Sequence, residues 1–152
     1  MIYSKMYWEN IILAHEYDYI IGVPCSFVKE LFEVDCIPVI MPAREDDAIG
    51  LAAGLVVGGK KPLVVVQSSG YPHCINAVKT LLTPYNIKMD ILISCRAGLN
   101  ESNPVQLHMI DFVLKSVQLL DVKVFVESDY NGISNIFDCL ESSSTNVILK
   151  GI

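Results

Sequence analysis

The chain has 152 residues, of which 52% are hydrophobic and 18% charged, and its formal net charge is −6. This length is ordinary for one domain with its own core, so we expect a single domain over residues 1–152. The acidic balance argues against a nucleic-acid partner, and no apolar stretch reaches the roughly 18 residues that a membrane span needs.

The first part of the chain alternates helical and strand patterns. An amphipathic pattern over 3–16 predicts a helix, and the apolar run at 17–24 predicts the first strand. A short helix is predicted over 26–32, with Ser26 as a possible N-cap. A second apolar run, at 36–42, predicts the second strand.

The same alternation continues to the end of the chain. The next helix, predicted over 46–57, is built from small and apolar residues and ends on a Gly-Gly-Lys-Lys-Pro stop signal. The later elements are predicted at 62–67 (strand), 74–82 (helix), 89–95 (strand), 105–120 (helix), 122–127 (strand), 129–140 (helix) and 146–152 (strand). Alternation of this kind predicts an α/β fold with three layers, in which helices cover both faces of a six-stranded parallel sheet.

Unusual sequence follows four of the predicted strands at their carboxyl ends, where ligands bind to open parallel sheets. Glycine, serine and proline in these stretches indicate tight turns and close backbone approach. The stretches are GVPCS (22–26), PAREDD (42–47), QSSGYPH (67–73) and CRAGLNESNP (95–104). Neither G-x-G-x-x-G nor a Walker A motif occurs, so a dinucleotide or P-loop nucleotide site has no support.

Three acidic residues precede the small-faced helix. Carboxylates at a helix N-terminus interact favourably with the helix dipole, by about 0.3–1 kcal/mol each, and we interpret Asp46 and Asp47 in this way. Glu45 differs because it falls at the junction of a buried strand and the helix, so its side chain is expected to point along the crevice. A partly buried carboxylate there can hydrogen-bond a ligand nitrogen. Glu45 is therefore a candidate for ligand binding.

Three motifs in fixed order carry a family resemblance. They are GVPCS, then AREDDAIGLAAGLVVGGKKPLVVVQSSG (43–70), then INAVKTLL (75–82). Together they resemble the pyrimidine-binding domain of thiamine diphosphate enzymes, from about Gly22 to the last strand. The order and spacing are most similar to the α subunits of sulfopyruvate decarboxylases and to the matching half of phosphonopyruvate decarboxylases.

The resemblance implies an activity, a cofactor and a partner. It implies that Glu45 hydrogen-bonds N1′ of the aminopyrimidine of thiamine diphosphate, favouring the imino tautomer that activates the cofactor. The implied reaction is decarboxylation of a small anionic 2-oxoacid, with sulfopyruvate favoured by the A-R-E-D stretch and the split-chain size. Family members bind the diphosphate through Mg²⁺ on a second domain marked by G-D-G, which this sequence lacks. The resemblance therefore implies that a β subunit supplies that domain and the Mg²⁺ ligands, and that this chain alone is inactive.

Further site residues are implied by the same motifs. The loop that matches the family's cofactor-facing loop consists of Gln67, Ser68, Ser69 and Gly70, and Asn76 matches an asparagine of the helix that follows. Substrate contacts are implied for Ser26 and Arg96. Arg44 can pair with the anionic tail of the substrate. His73 departs from the family, whose members carry smaller residues there, and can change the substrate shape or add a proton donor. Alternatives remain: Ser26 is equally an N-cap, and Arg44 equally neutralises Glu45 or Asp47. For Asn76 a structural bond at a helix start is the favoured interpretation.

Other interpretations stay open. His73 is an acid/base candidate or an exposed loop residue, and His108 belongs to a closing loop or is structural. The function could also be that of a phosphonopyruvate decarboxylase subunit, of another thiamine diphosphate lyase or carboligase, or of a non-catalytic scaffold subunit. The small helix face formed by Ala48, Ala52, Ala53 and Gly54 suggests a tight subunit interface.

The cysteines and the N-terminus indicate in which cellular compartment the protein is expected. The five cysteines are scattered and never spaced C-x-x-C, which predicts neither a zinc site nor a disulfide framework. Residues 1–18 lack the basic start, apolar core and cleavage site of a secretory signal. We therefore expect a cytoplasmic protein with no metal ligands of its own and no membrane partner.

Overall fold

Six parallel strands form the central sheet of the structure, a computed structural model that describes residues 2–96 and 101–152. Their spatial order is β2-β1-β3-β4-β6-β5. The strands are β1 Tyr19–Gly22, β2 Val39–Ile40, β3 Pro62–Gln67, β4 Asp90–Ser94, β5 Lys123–Val126 and β6 Asn146–Lys150. The predicted six-stranded parallel sheet is confirmed.

Helices connect successive strands, as parallel pairing requires. The α-helices of the described residues are α1 Lys5–Ala14, α2 Glu45–Val57, α3 Tyr71–Ala77, α4 Pro104–Val117 and α5 Ile133–Phe137. Two 3₁₀ helices lie at Lys29–Glu33 and Glu127–Asp129, and α3 continues into a π-helical turn at Val78–Leu82. No helix among the residues described is long and apolar enough to cross a membrane.

The helices lie in two layers because the strands bury both of their faces. Val64 and Val66 of β3 belong to the core that also contains residues of α2, α3 and α4. Leu63 and Val65 point the other way, into the core shared with α1, the first 3₁₀ helix and α5. This alternation along one continuously apolar strand gives the three-layer α/β/α arrangement predicted from the sequence.

The direction of the connections reverses between β1 and β3. From β1 the chain moves outward to the edge strand β2, and it then returns through α2 to β3 on the other side of β1. Ligand sites in open parallel sheets lie outside the carboxyl ends of the strands at such a reversal. The residues that follow β1, β2 and β3 are therefore at the expected position for a site.

Two predictions about individual residues are wrong. The helix predicted over 26–32 is the 3₁₀ helix at Lys29–Glu33, and Val28 occupies its N-cap position. Ser26 lies in the preceding turn, which the bond from Val28 N to Cys25 O closes, so Ser26 does not cap a helix. The subunit interface predicted on the small face of α2 is also wrong for three of its four residues. Ala48, Ala52 and Ala53 are buried in the core of the chain itself.

Candidate active site

Glu45 is the first residue of α2, directly after the turn that follows β2. Arg44, at the N-cap, is extended (φ −139°, ψ 155°), so the backbone changes from extended to helical at Glu45. The side chain of Glu45 is only 14% exposed. A sheltered carboxylate therefore stands at the carboxyl edge, at the positive end of the α2 dipole.

The carboxylate of Glu45 packs directly against Gly70. A Cβ atom built on Gly70 would lie 2.0 Å from both Cδ and Oε1 of Glu45. Gly70 sits in a tight turn, in which its amide donates to Gln67 O at 2.9 Å and its carbonyl accepts from His73 N at 3.1 Å. The turn after β3 thus places a residue without a side chain where the carboxylate needs room.

His73 and Cys74 complete the surroundings of Glu45. Nδ1 of His73 lies 3.8 Å from Oε2 of Glu45, and the imidazole is about half exposed. Burial, together with the negative charges of Glu45 and Asp46, raises the pKa of the Cys74 thiol to about 12. Cys74 is therefore a protonated, apolar neighbour of the carboxylate, while His73 borders its solvent side.

Arg44 binds the neighbouring acid, Asp46. Its Nε donates to Oδ1 of Asp46 at 2.9 Å and its Nη2 to Oδ2 at 3.3 Å. This exposed pair lowers the pKa of Asp46, chiefly through the hydrogen bond from Arg44. Of the alternatives weighed for Arg44, neutralisation of Glu45 or Asp47 is not the arrangement found, because the guanidinium contacts Asp46.

Hydrogen bonds made by Ser68 hold the predicted cofactor-facing loop, Gln67–Gly70, in place. Ser68 is buried, its amide donates to Ser94 O, and its hydroxyl donates to Oε1 of Gln106 at 2.8 Å. Gln106 is itself only 3% exposed, in the first turn of α4. Sequence reasoning missed Gln106, for which the only signal was a polar residue on the inward side of a helical pattern.

The other predicted site residues make no described contact with Glu45. Ser26 and Asn76 are exposed, and the carbonyl of Asn76 accepts from the Thr80 hydroxyl. Arg96 forms an ion pair with Glu101, with Nε 2.6 Å from Oε2. Residues 97–100 of the predicted polar loop 95–104 lie outside the described residues.

A second group of polar residues lies at the carboxyl ends of β4 and β6. Lys150, the last residue of β6, is fully buried, with Nζ 3.9 Å from the centroid of the Phe27 ring. Burial lowers its pKa, and the charge of Glu127 opposes this shift. Nearby, Sγ of Cys25 lies 3.1 Å from Oγ of Ser94. Sequence reasoning missed Lys150, although a lysine inside the run NVILKGI was visible.

The described residues contain no group of three or more His, Cys, Asp or Glu side chains arranged to hold a metal ion. The site around Glu45 therefore consists of one sheltered carboxylate, a glycine turn and a histidine at the rim. Such a site can hydrogen-bond a ligand nitrogen and share a proton with it.

Comparison with known proteins finds relatives of one kind. A protein from Methanocaldococcus jannaschii named "Sulfopyruvate decarboxylase subunit alpha" is 32% identical over 128 residues, which is 82% of this chain and 72% of that protein. One of the same name from Methanococcus maripaludis is 31% identical over 121 residues, or 75% and 71% of the two chains. A Methanosarcina acetivorans protein named "Sulfopyruvate decarboxylase" is 31% identical over 57% of this chain and only 24% of its own length. No family model matches the chain.

Two solved structures share the fold. Benzoylformate decarboxylase from Polynucleobacter necessarius superposes with a TM-score of 0.65 at 17% identity, covering 98% of this chain. The 2-oxoglutarate:ferredoxin oxidoreductase from Magnetococcus marinus superposes with a TM-score of 0.61 at 12% identity, covering 95%. This chain spans 29% and 28% of their respective lengths. The likeness extends over nearly the whole α/β/α arrangement.

Proposed function

This chain belongs to the family of sulfopyruvate decarboxylase α subunits, and from this premise we propose that it is the α subunit of a thiamine diphosphate-dependent decarboxylase. The proposed reaction converts sulfopyruvate, a small anionic 2-oxoacid, to sulfoacetaldehyde and CO₂. The names of relatives that cover most of this chain support the proposal. The free thiols of all five cysteines fit a cytoplasmic location.

The observation that carries the proposal is the sheltered carboxylate of Glu45 beside Gly70. A carboxylate that is 14% exposed, at a helix N-terminus on the carboxyl edge of the sheet, fits a partner that offers a ring nitrogen. The Glu45 carboxylate can lie against Gly70 only because this residue has no Cβ. These features fit the aminopyrimidine of thiamine diphosphate, with Glu45 holding the proton at N1′.

When bound, thiamine diphosphate supplies the electron sink that decarboxylation of a 2-oxoacid requires. The residues of this chain orient and tune it. Glu45 shares its proton with N1′, and the low dielectric around the buried Cys74 strengthens that hydrogen bond relative to the same bond in water. The turn Gln67–Gly70 would form one side of the cofactor site, and the hydrogen bond from Ser68 to Gln106 holds this turn in place.

We further propose that this chain is a single pyrimidine-binding domain, with the diphosphate-binding domain and the Mg²⁺ ligands on a separate β subunit. Two facts support this arrangement. The sequence has no G-D-G, and the relatives matched over most of their length are named as subunits. The relative matched over only 24% of its length is named as the decarboxylase without a subunit.

The anionic groups of the substrate need cationic and hydroxyl partners. For these we propose Ser26, which is exposed, together with Arg44, Arg96 and His73. Both arginines are held by carboxylates of this chain, Arg44 by Asp46 and Arg96 by Glu101. Binding of a sulfonate or carboxylate then requires that one of these ion pairs be shared or exchanged.

The experiment is co-expression with the β subunit, followed by measurement of CO₂ release from sulfopyruvate, phosphonopyruvate and pyruvate. We expect activity with sulfopyruvate in the assembled enzyme and none with the isolated chain. Glu45→Gln, which keeps the shape but cannot hold the proton as a carboxylate does, should lower kcat by about 100-fold or more.

Asp47→Asn is the matched control, because Asp47 is an exposed acid in the same helical turn. It should leave turnover within about twofold of the wild type, since exposed charges interact weakly. Wild-type turnover in the Glu45→Gln enzyme would refute the assignment of Glu45, and turnover by the isolated chain would refute the split site.

A further inference from the structure

Helix α4 carries apolar side chains on its solvent side. Leu107 is 47% exposed, Phe112 43%, and Leu119, in the turn that closes the helix, 76%. The opposite side of the helix is buried through Val113 and Val117. The helix is therefore apolar on two sides, and the outer side is uncovered within the described part of the chain.

The outer side has a regular order. Leu107, Asp111, Lys115 and Leu119 follow one another at intervals of four residues and form one ridge, which we call the α4 ridge. Asp111 and Lys115 are joined by an ion pair of 2.7 Å and are about three-quarters exposed. Along the helix the ridge therefore presents an apolar, an acidic, a basic and again an apolar side chain.

A groove runs beside this ridge. Its other wall is formed by His108, Phe112 and Ser116, and its volume is about 560 Å³. The α4 ridge and the groove next to it are the two parts that helix packing needs, since one helix seats its ridge in the groove of another.

The side chains of the α4 ridge are complementary to those of a second α4 ridge that runs in the opposite direction. If a second α4 lies antiparallel about a two-fold axis level with Val113, Leu107 meets Leu119 of the second copy, and Asp111 meets Lys115. Every contact then occurs twice, as two-fold symmetry requires. A second copy of the chain therefore matches the ridge at each of its four positions.

We propose that the α4 ridge is a self-association surface, at which two copies of this chain pack their α4 helices antiparallel about a two-fold axis level with Val113. The ridge spans about 18 Å, so the contact buries less than the roughly 800 Å² per partner of a standard interface. Self-association of the isolated chain is therefore weak and depends on concentration. In an assembly with another subunit, the same contact joins two α chains.

The test is sedimentation velocity of the full chain from about 1 to about 200 μM. The wild type should shift from monomer towards dimer. Asp111→Lys and Lys115→Asp each place like charges opposite one another and should raise the dimer Kd by about tenfold or more. The double variant Asp111→Lys/Lys115→Asp restores opposite charges and should return the Kd to within about threefold of the wild type.

The decisive arm mixes the two single variants in equal amounts. Each is monomeric alone, but together they present only opposite charges and should form a heterodimer. Circular dichroism verifies that the variants keep their helix content, since each also changes an exposed pair within α4 worth about 0.2–0.5 kcal/mol.

A wild type that stays monomeric at the highest concentration overturns the proposal, as does a mixture that stays monomeric. Variants that leave self-association unchanged but weaken binding of the β subunit also overturn it, by assigning the surface to that subunit. The readout is the oligomeric state rather than turnover, so the outcome is independent of the proposed function.

Discussion

The carboxylate of Glu45 occupies the space that a side chain on Gly70 would fill. A Cβ on Gly70 would lie 2.0 Å from Cδ and Oε1 of Glu45, which is closer than non-bonded atoms approach one another. The backbone of Gly70 has φ −91° and ψ −17°, which any residue can adopt. Glycine is therefore required at this position for a steric reason, because a larger residue would collide with the side chain of Glu45, the candidate catalytic residue.

Gly70→Ala should separate function from stability. The clashing atoms are the flexible end of the Glu45 side chain, which can swing away at little cost, so we expect the free energy of unfolding to change by less than about 1 kcal/mol. The displaced carboxylate loses its place beside the pocket, and kcat of the assembled enzyme should fall by about 10- to 100-fold. Thermal unfolding and CO₂ release measure the two quantities.

Gly50→Ala is the matched control for this change. A Cβ on Gly50, five residues along α2 from Glu45, meets no heavy atom within 4 Å. It should stabilise the helix by about 0.5–1 kcal/mol and leave turnover unchanged. Full activity of the Gly70→Ala enzyme would show that the contact with Glu45 has no role in turnover.

The bounds of strands with continuous apolar runs were predictable from the sequence. The bounds of elements at the edges of the fold were less predictable. The strand predicted at 62–67 is β3 with the same bounds, because its pattern is apolar throughout and both of its faces are covered. The strand predicted at 36–42 pairs only at Val39–Ile40, since it is an edge strand between Pro38 and Pro42. The helix predicted over 129–140 shrinks to α5, because Gly132 has φ +109° immediately before it.

For the site, the sequence predicted where Glu45 lies but not what surrounds it. A carboxylate at a strand–helix junction is a local feature, and the observed α2 begins at Glu45, one residue before the predicted start. The contacts of Ser68 with Gln106 and of Cys25 with Ser94 join residues 38 and 69 positions apart. Such pairs depend on the order of the strands in space, which a single sequence does not reveal.

His73 provides a test of the substrate side of the pocket. The imidazole lies 3.8 Å from Glu45 and is half exposed, so the role proposed for His73 is contact with the substrate rather than with the cofactor ring. His73→Ala should therefore raise KM for sulfopyruvate by about 3- to 10-fold with kcat within about twofold. Steady-state kinetics with saturating cofactor measure this split.

Lys79→Ala, which removes an exposed cation from the π-helical turn after α3, is the control for a general charge effect. This variant should leave both kcat and KM for sulfopyruvate unchanged. A loss of kcat in His73→Ala without a rise in KM would contradict a role in substrate binding and point to action on Glu45.

The cysteines predict a labelling pattern for the native chain. Burial raises the pKa of both Cys74 and Cys95 to about 12, whereas Cys36 and Cys139 are exposed. Only the thiolate reacts, so alkylation of the buried pair at pH 8 should be about a thousandfold slower than that of an ordinary thiol. Mass spectrometry after treatment with iodoacetamide should find Cys36 and Cys139 modified first.

Unfolding the chain in urea removes the burial and should bring all five cysteines to similar rates, which serves as the internal control. The pKa of Cys36 is also raised, chiefly by partial burial and then by Glu9, so its labelling should accelerate as the pH rises above 9. Modification of Cys95 in the native chain at the rate of Cys36 would mean that the end of β4 is more open than described.

Tyr17 and Asp90 predict how stability depends on alkaline pH. The buried Tyr17 hydroxyl donates to Oδ2 of Asp90 at 2.6 Å, while Nδ2 of Asn146 donates to Oδ1 at 2.7 Å. Burial, followed by the charge of Asp90, raises the pKa of Tyr17 well above its ordinary value of 10.0. Above pH 10 the unfolded chain loses this proton while the folded chain keeps it, so the stabilisation is complete below pH 10 and decreases as the pH rises further.

Tyr17→Phe should lower the free energy of unfolding by about 1.5–3 kcal/mol at pH 8, since it leaves a buried carboxylate oxygen without its donor. The difference between wild type and variant should then shrink from pH 10 to pH 11, because only the wild type loses the Tyr17 contribution. Tyr85→Phe, at a site that is 72% exposed, controls for the loss of a phenol and should track the wild type. Urea unfolding followed by circular dichroism measures these differences. A wild-type advantage over Tyr17→Phe that stays constant across this range would mean that Tyr17 ionises equally easily in the folded and unfolded chain, contrary to its burial beside Asp90.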